Sequence, residues 1–141
     1  QGGNTYSADP TRYASVQRDT VSTLSVRDGA YLTDFSFYMG SPDAYNRVTF
    51  NYIGGSQVLD GANIWSGPAF GGDRAKGFRV YYDFGGAKVT SIVFSTGASN
   101  AFEFDGLAGT VAVPEPATWA MMIMGFGVAG AMLRRRRTAI A

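Results

Sequence analysis

The sequence predicts an all-β body, an antiparallel β-sandwich or jelly roll over residues 1–113. A proline linker and one short C-terminal transmembrane helix follow within 114–141. Three observations carry this expectation. Run after run between residues 20 and 113 alternates with period two, and the apolar members are β-branched or aromatic. Glycine is abundant, with 19 residues, many of them between those runs where turns belong. No helical periodicity of useful length precedes residue 117, after which 17 residues pass without a charge.

Residues 1–19 are polar, with Gly2-Gly3 and the turn signal Asp9-Pro10, and no strand is predicted in them. Gln1 opens the chain without a charged-then-apolar leader, and this stretch reads as the interior of a longer chain. Thr20–Val26 is a short β-prone run. In Tyr31–Met39 the residues Tyr31, Thr33, Phe35, Phe37 and Met39 share a face, until Ser41-Pro42-Asp43 breaks the strand. Arg47–Ile53 sets Val48, Phe50 and Tyr52 together before a Gly54-Gly55 turn, and Gln57–Leu59 is a short candidate. Gly61–Gly77, with five glycines, Trp65 and Pro68, reads as a long loop. Phe78–Phe84 places Phe78, Val80, Tyr82 and Phe84 opposite Arg79, Tyr81 and Asp83. Gly85-Gly86 then signals a two-residue hairpin into Val89–Ser95, where Ile92 and Phe94 pair. Ala101–Leu107 sets Phe102 and Phe104 against Glu103 and Asp105, and Thr110–Val113 is a last strand. Strands of this kind bury their apolar faces only against a second layer.

The composition narrows the chemistry. Charged residues are 16% of the 141 and apolar residues 45%, fewer charges than the ~25% of ordinary domains but too apolar for disorder. Cys and His are both absent. Disulfides, thiol nucleophiles, Cys- or His-held metals and a Ser-His-Asp triad are excluded. A non-enzymatic role is the expectation, with no cofactor beyond a structural calcium ion. Residues 1–113 carry eight basic and ten acidic side chains, net −2, while residues 114–141 carry four arginines and Glu115, net +3. The basicity is one terminal run, so no nucleic-acid surface is indicated.

In the C-terminal segment, Pro114 and Pro116 flank Glu115, giving an extended backbone poor in hydrogen bonds. Ala117–Leu133 follows without a charge. As a helix it spans about 25 Å, at the short end for a ~30 Å hydrocarbon core. Trp119 stands at its start, where an indole suits the interface, and Arg134, Arg135, Arg136 and Arg137 close it as a cytoplasmic topology stop. Those arginines also favour anionic lipid. A helix apolar all round finds no partners in so small a β body, so a buried core helix is disfavoured. Gly125-Phe126-Gly127-Val128-Ala129-Gly130 matches G-x-G-x-x-G, but eleven residues remain and none is acidic, where a dinucleotide site needs a preceding strand and an acid ~20 residues on. Gly127 and Ala131 instead have small-xxx-small spacing, which suits close helix approach.

Pro114-Glu115-Pro116-Ala117-Thr118-Trp119-Ala120, Met121-Met122-Ile123-Met124-Gly125-Phe126-Gly127 and the arginine run together resemble a PEP-CTERM sorting signal, in the variant PEPxxWAMMIxGFGxxGxxxRRRR. The resemblance implies a Gram-negative, exopolysaccharide-producing bacterium and export by an N-terminal signal peptide. It implies recognition by an exosortase, an integral-membrane cysteine transpeptidase-like enzyme, and cleavage at or near the PEP motif. An inner-membrane intermediate with a cytoplasmic C-terminus would then give a product on the cell surface or in the extracellular matrix. Two body segments, Phe37–Asn46 and Asn100–Gly106, resemble paired motifs of a group of exosortase-dependent surface proteins. That group usually carries Trp where Met39 stands and Asn where Gly106 stands.

The body offers three candidate chemistries. Glu103 and Asp105 are two apart on one strand face, with Cα atoms about 6.5–7 Å apart, a carboxylate pair of the kind used in glycoside hydrolysis. The strand runs of laminarinase-like enzymes, which the pair resembles, carry a third carboxylate where this chain has Ala108. Calcium takes six to eight oxygens, and Asp43, Asn46, Glu103 and Asp105 would supply them if the two motif loops meet. Aromatics stack on sugar rings, and Trp65, Tyr81, Tyr38 and Tyr45 are the candidates; core or lid packing is the competing use. The leading expectation is a non-enzymatic surface or matrix protein associated with exopolysaccharide. A carbohydrate-binding jelly-roll module, a glycan hydrolase and a permanently anchored, uncleaved protein are the alternatives.

Overall fold

The computed structural model describes residues 12–40, 42–65, 77–114 and 118–138. Among these the body has ten strands: β1 (Ala14–Val16), β2 (Val21–Ser25), β3 (Tyr31–Leu32), β4 (Asp34–Met39), β5 (Arg47–Tyr52), β6 (Gly55–Asp60), β7 (Phe78–Asp83), β8 (Val89–Ser95), β9 (Phe102–Ala108) and β10 (Val111–Ala112). A single 3-10 turn, Gly61–Ile64, follows β6, and helix α1 (Thr118–Thr138) follows β10. All ladders are antiparallel. One sheet has the order β1-β9-β4-β7, the other β10-β3-β8-β5-β6, with β2 also paired to β8. The pairs nest: β5 with β6, β4 with β7, β2 and β3 with β8, β1 with β9. A single antiparallel ribbon rolled into two sheets gives this nesting, which is the jelly-roll connectivity.

The core lies between the sheets and is built by the alternation. Phe35, Phe37 and Met39 of β4, Val48 and Phe50 of β5, Ile92 and Phe94 of β8, and Phe102 and Phe104 of β9 are all buried. Phe94 stacks on Phe104 with centroids 4.0 Å apart, and Phe37 meets Phe94 edge-on at 5.3 Å. Such offset and edge-to-face pairs add to area burial. Tyr82 reaches in from β7 and donates to the Ile64 carbonyl at 2.7 Å; burial pushes its pKa up.

Several elements differ from the expectation. The run 31–39 is two strands in different sheets, broken at Thr33. Leu32 therefore points inward in place of Tyr31 and Thr33, because the chain turns a corner of the sandwich there. The Gly85-Gly86 turn joins no hairpin: β7 pairs with β4 and β8 with β5, so these residues, at φ 57° and 95°, carry the chain from one sheet to the other. The β5–β6 turn is formed by Ile53-Gly54 (φ of Gly54 102°), and β6 is longer than Gln57–Leu59. Residues 1–19 hold a strand after all: β1 pairs with β9 through Ala14↔Phe104. Most of the 61–77 loop lies outside the described residues.

The expectation of a transmembrane helix over 117–133 is corrected. Among the described residues no helix is long and apolar enough to cross a membrane. The uncharged part of α1 is the 16 residues 118–133, about 24 Å of helix, and its remaining turn is arginine-rich. Glu115, Pro116 and Ala117 lie outside the described residues.

Candidate functional site

Two places collect the residues singled out by the sequence: the outer face of the β1-β9-β4-β7 sheet with the loops beside it, and the root of the C-terminal segment. On the first, the two body motifs do meet. Tyr38 lies opposite Asp105 and Met39 opposite Phe104. The Gly40 amide donates to the Glu103 carbonyl at 2.9 Å, and a Cβ on Gly40 would sit 3.3 Å from that of Glu103. The Tyr45 phenol shares its proton between the Asn100 carbonyl at 2.7 Å and the Asp43 carboxylate at 2.8 Å. The 42–46 turn is closed by the Asn46 amide on the Asp43 carbonyl at 3.1 Å, and the Gly61 amide donates to the Asn46 carbonyl at 3.0 Å. Asn46 is fully buried.

Glu103 and Asp105 share the outer face as expected, but their neighbourhood is structural. The Asp105 carboxylate accepts from the Gly106 amide at 2.6 Å. Arg79 donates to the Gly106 carbonyl at 2.7 Å and to the Ser36 hydroxyl at 3.1 Å, tying β7, β4 and β9 together. Among the described residues no three of Asp and Glu converge to hold a metal ion. Asp43, Asn46, Glu103 and Asp105 are thus linked through backbone and Tyr45, with no acidic cluster around a common point. Gly106 has φ 57°, a left-handed conformation that glycine and asparagine adopt most readily. Met39 is fully buried, so a Trp there would need a reshaped core.

The four aromatics divide. Tyr81 is 74% exposed on the outer face. Trp65 packs against the core, edge-on to Phe78 at 6.0 Å. Tyr45 is held by the hydrogen bonds above, and Tyr38 is half-buried, packed so closely over Gly77 that a Cβ there would lie 2.5 Å from its phenol oxygen.

At the second place, the chain leaves the body through β10, which pairs with β3 by Val111↔Leu32 and Ala112↔Tyr31. A clasp precedes it. The Thr33 amide donates to the Thr110 carbonyl at 3.0 Å, and the Thr110 amide donates to the Asp34 carboxylate at 3.1 Å. The Thr110 hydrogen bonds, with a smaller one from the Thr33 hydroxyl, hold the Asp34 pKa below its usual value. Gly109 lets the strands approach: a Cβ there would fall 2.7 Å from the Asp34 carbonyl oxygen. Sequence reasoning missed this clasp, since its partners are 76 residues apart and no local pattern marks them.

Pro114 stands exposed two residues beyond the ladder. Every described side chain of α1, from Trp119 through Arg135, is exposed. Added Cβ atoms at Gly125, Gly127 or Gly130 would meet open space. An edge strand, a proline-bearing link, an unpacked apolar helix and a cationic end thus follow one another directly. Compared with protein-family models, residues 112–137 match the PEP-CTERM protein-sorting motif.

The chain carries a PEP-CTERM sorting motif. The match runs from Ala112, the last residue of β10, to Arg137, the last of the arginine run. It takes in Pro114, Glu115, Pro116, Trp119, Gly125, Gly127 and all four arginines. PEP-CTERM motifs are processed by exosortase, so the chain is an exosortase-targeted, exported surface protein. No curated protein and no solved structure gives a match.

Proposed function

We propose that this is a non-enzymatic surface or matrix protein that exosortase processing delivers into an exopolysaccharide layer. The observation that supports this best is the coincidence of boundaries: the sorting motif begins at the residue where the folded body ends. A cut near the PEP residues releases a body whose core lies wholly upstream. Prolines on both sides of Glu115 leave little backbone to pair, which suits entry into a peptidase cleft. Before the cut, the exposed apolar helix α1 and the arginines that close it hold the chain at the inner membrane. The engaged Asp105 and the missing third carboxylate favour a binding or structural role over hydrolysis. The test is intact mass and fractionation of the protein in hosts with and without the exosortase. Loss of residues beyond the PEP region only when the enzyme is present supports the reading.

The exposed Tyr81 favours a second reading, a carbohydrate-binding face on the β1-β9-β4-β7 sheet. Polysaccharide pull-down that Tyr81→Ala abolishes, with thermal stability unchanged, would support it. Trp65→Ala is the poorer probe, because Trp65 packs against Phe78 and its loss changes stability.

A further inference from the structure

The direction of β10 says which end of the sandwich faces the anchor. β3 leads into β4, which runs away from Tyr31 to Met39; β10 is antiparallel to β3, so the chain departs at the end where β3 starts. The same end collects the β2–β3 connection at 26–30, the Ile53-Gly54 turn and the β7–β8 connection at 84–88. Hydrogen bonds from the Ile53 amide to the Lys88 carbonyl and from the Phe84 amide to the Thr33 carbonyl, both 3.1 Å, bind these together. The motif loops at 42–46 and 96–101 lie at the opposite end.

The exit end has an unusual surface. Ile53, at the tip of a two-residue turn, is 69% exposed, where Asn, Asp or Gly is the ordinary choice. Val111 and Val113 are 52% and 57% exposed. Beside them opens an apolar groove of about 450 Å³ lined by Leu24, Val26, Leu32, Phe35 and Leu107. Arg27 and Lys88 are exposed there, Lys88 lying 5.2 Å over the Tyr31 ring. Asp28 and Asp83 are exposed acids at the same end, Asp83 accepting from the Gly85 amide, and the half-buried Asp34 accepts from the Thr110 amide. Between Ala112, the last ladder residue, and Thr118, the first helical one, there are six residue steps, so the link reaches at most about 20 Å.

We infer that this exit end, with Ile53, Val111 and Val113 as apolar tips and Arg27 and Lys88 as cations, docks on the lipid headgroup layer of the membrane that holds the tail. The inference rests on the proposed membrane anchor. The short tether supplies a high local concentration of this end at the surface, so weak apolar and cationic contacts are enough. The face lies against lipid only until the cut, and the released body presents it to solvent.

The chain has no cysteine, so single-cysteine labelling is clean. An environment-sensitive dye is placed on the full chain at Ile53→Cys, at Ala98→Cys at the far end, and at Phe126→Cys in the helix. The chain is reconstituted in phosphatidylethanolamine–phosphatidylglycerol vesicles that carry a spin label on the headgroup in one sample and along the acyl chain in another. The expected result is strong quenching at 126 by the acyl-chain label and, by the headgroup label, several-fold stronger quenching at 53 than at 98. Reversing Arg27 and Lys88 to Glu should then reduce the signal at 53. Quenching at 126 with equal signals at 53 and 98 overturns the docking face and leaves the anchor standing. Absence of quenching at 126 overturns the anchor, and the docking face with it.

Discussion

Two truncations separate the address from the fold. A chain ending at Val113 loses only α1 and its link, whose described side chains are exposed, so its unfolding free energy should match the full chain within about 0.5 kcal/mol. A chain ending at Gly109 loses β10 and the clasp. Gone are the Thr33–Thr110 bond at 3.0 Å, the Thr110–Asp34 bond at 3.1 Å and the ladder over buried Leu32. A net hydrogen bond is worth about 0.5–1.5 kcal/mol, more when one partner is charged. Water reaches the freed groups at this sheet edge, so the neutral Thr33–Thr110 and ladder bonds together are worth roughly 1–3 kcal/mol against a domain total of about 5–15 kcal/mol. Urea unfolding followed by tryptophan fluorescence reads this directly, because Trp65 packs on the core and the second tryptophan, Trp119, leaves with both truncations. Equal losses for the two truncations would refute the claim that the body ends at β10. A large loss at Val113 would mean that the helix is part of the fold.

Further predictions follow from particular residues. Phe37 is fully buried among Phe94, Phe102, Phe104 and Tyr82, so Phe37→Ala should lower stability by about 3–5 kcal/mol while Tyr81→Ala changes it by less than ~0.5; denaturation midpoints compare the two. Asp34 has a lowered folded pKa, so its contribution is present above the usual 3.8 and is lost as pH falls through the lower folded value. Stability measured from pH 5 downward should accordingly decline less steeply in Asp34→Asn than in the parent, with equal slopes disproving the role. At Gly106, φ 57° admits Asn but opposes a β-branched residue. Any side chain there also displaces the Arg79 guanidinium, which a Cβ would meet at 2.6 Å, so thermal denaturation should show both substitutions destabilising, Gly106→Val more than Gly106→Asn, by about 1–3 kcal/mol for Val.

What was legible in the sequence was local. Phe35-x-Phe37-x-Met39 and Phe102-x-Phe104 announce their buried faces through period-two alternation, and all five are buried. The sorting motif is a contiguous string, so it reads without a fold. Sheet membership was not legible, because the ladders join residues far apart in sequence, as Ala14 to Phe104. The corner at Thr33 is invisible for the same reason: a residue there turns outward only because β10 and β9 arrive on different sheets. Gly85-Gly86 looks like a hairpin signal, yet two positive-φ glycines serve a sheet-to-sheet corner equally well. The meeting of the 37–46 and 100–106 segments was posed only by their resemblance to paired motifs. The contacts that join them, through Tyr45, Asn100 and the Gly40 amide, depend on the β4–β9 register.

The central claim is that the C-terminal segment is an address removed by a processing enzyme. Intact mass of the protein recovered from its host, with the exosortase present and deleted, tests it most directly. The account predicts a product ending near Pro114–Pro116 in the first case and an arginine-terminated, membrane-fractionating chain in the second. A surface product that keeps Arg134–Arg137 whether or not the enzyme is present would contradict it.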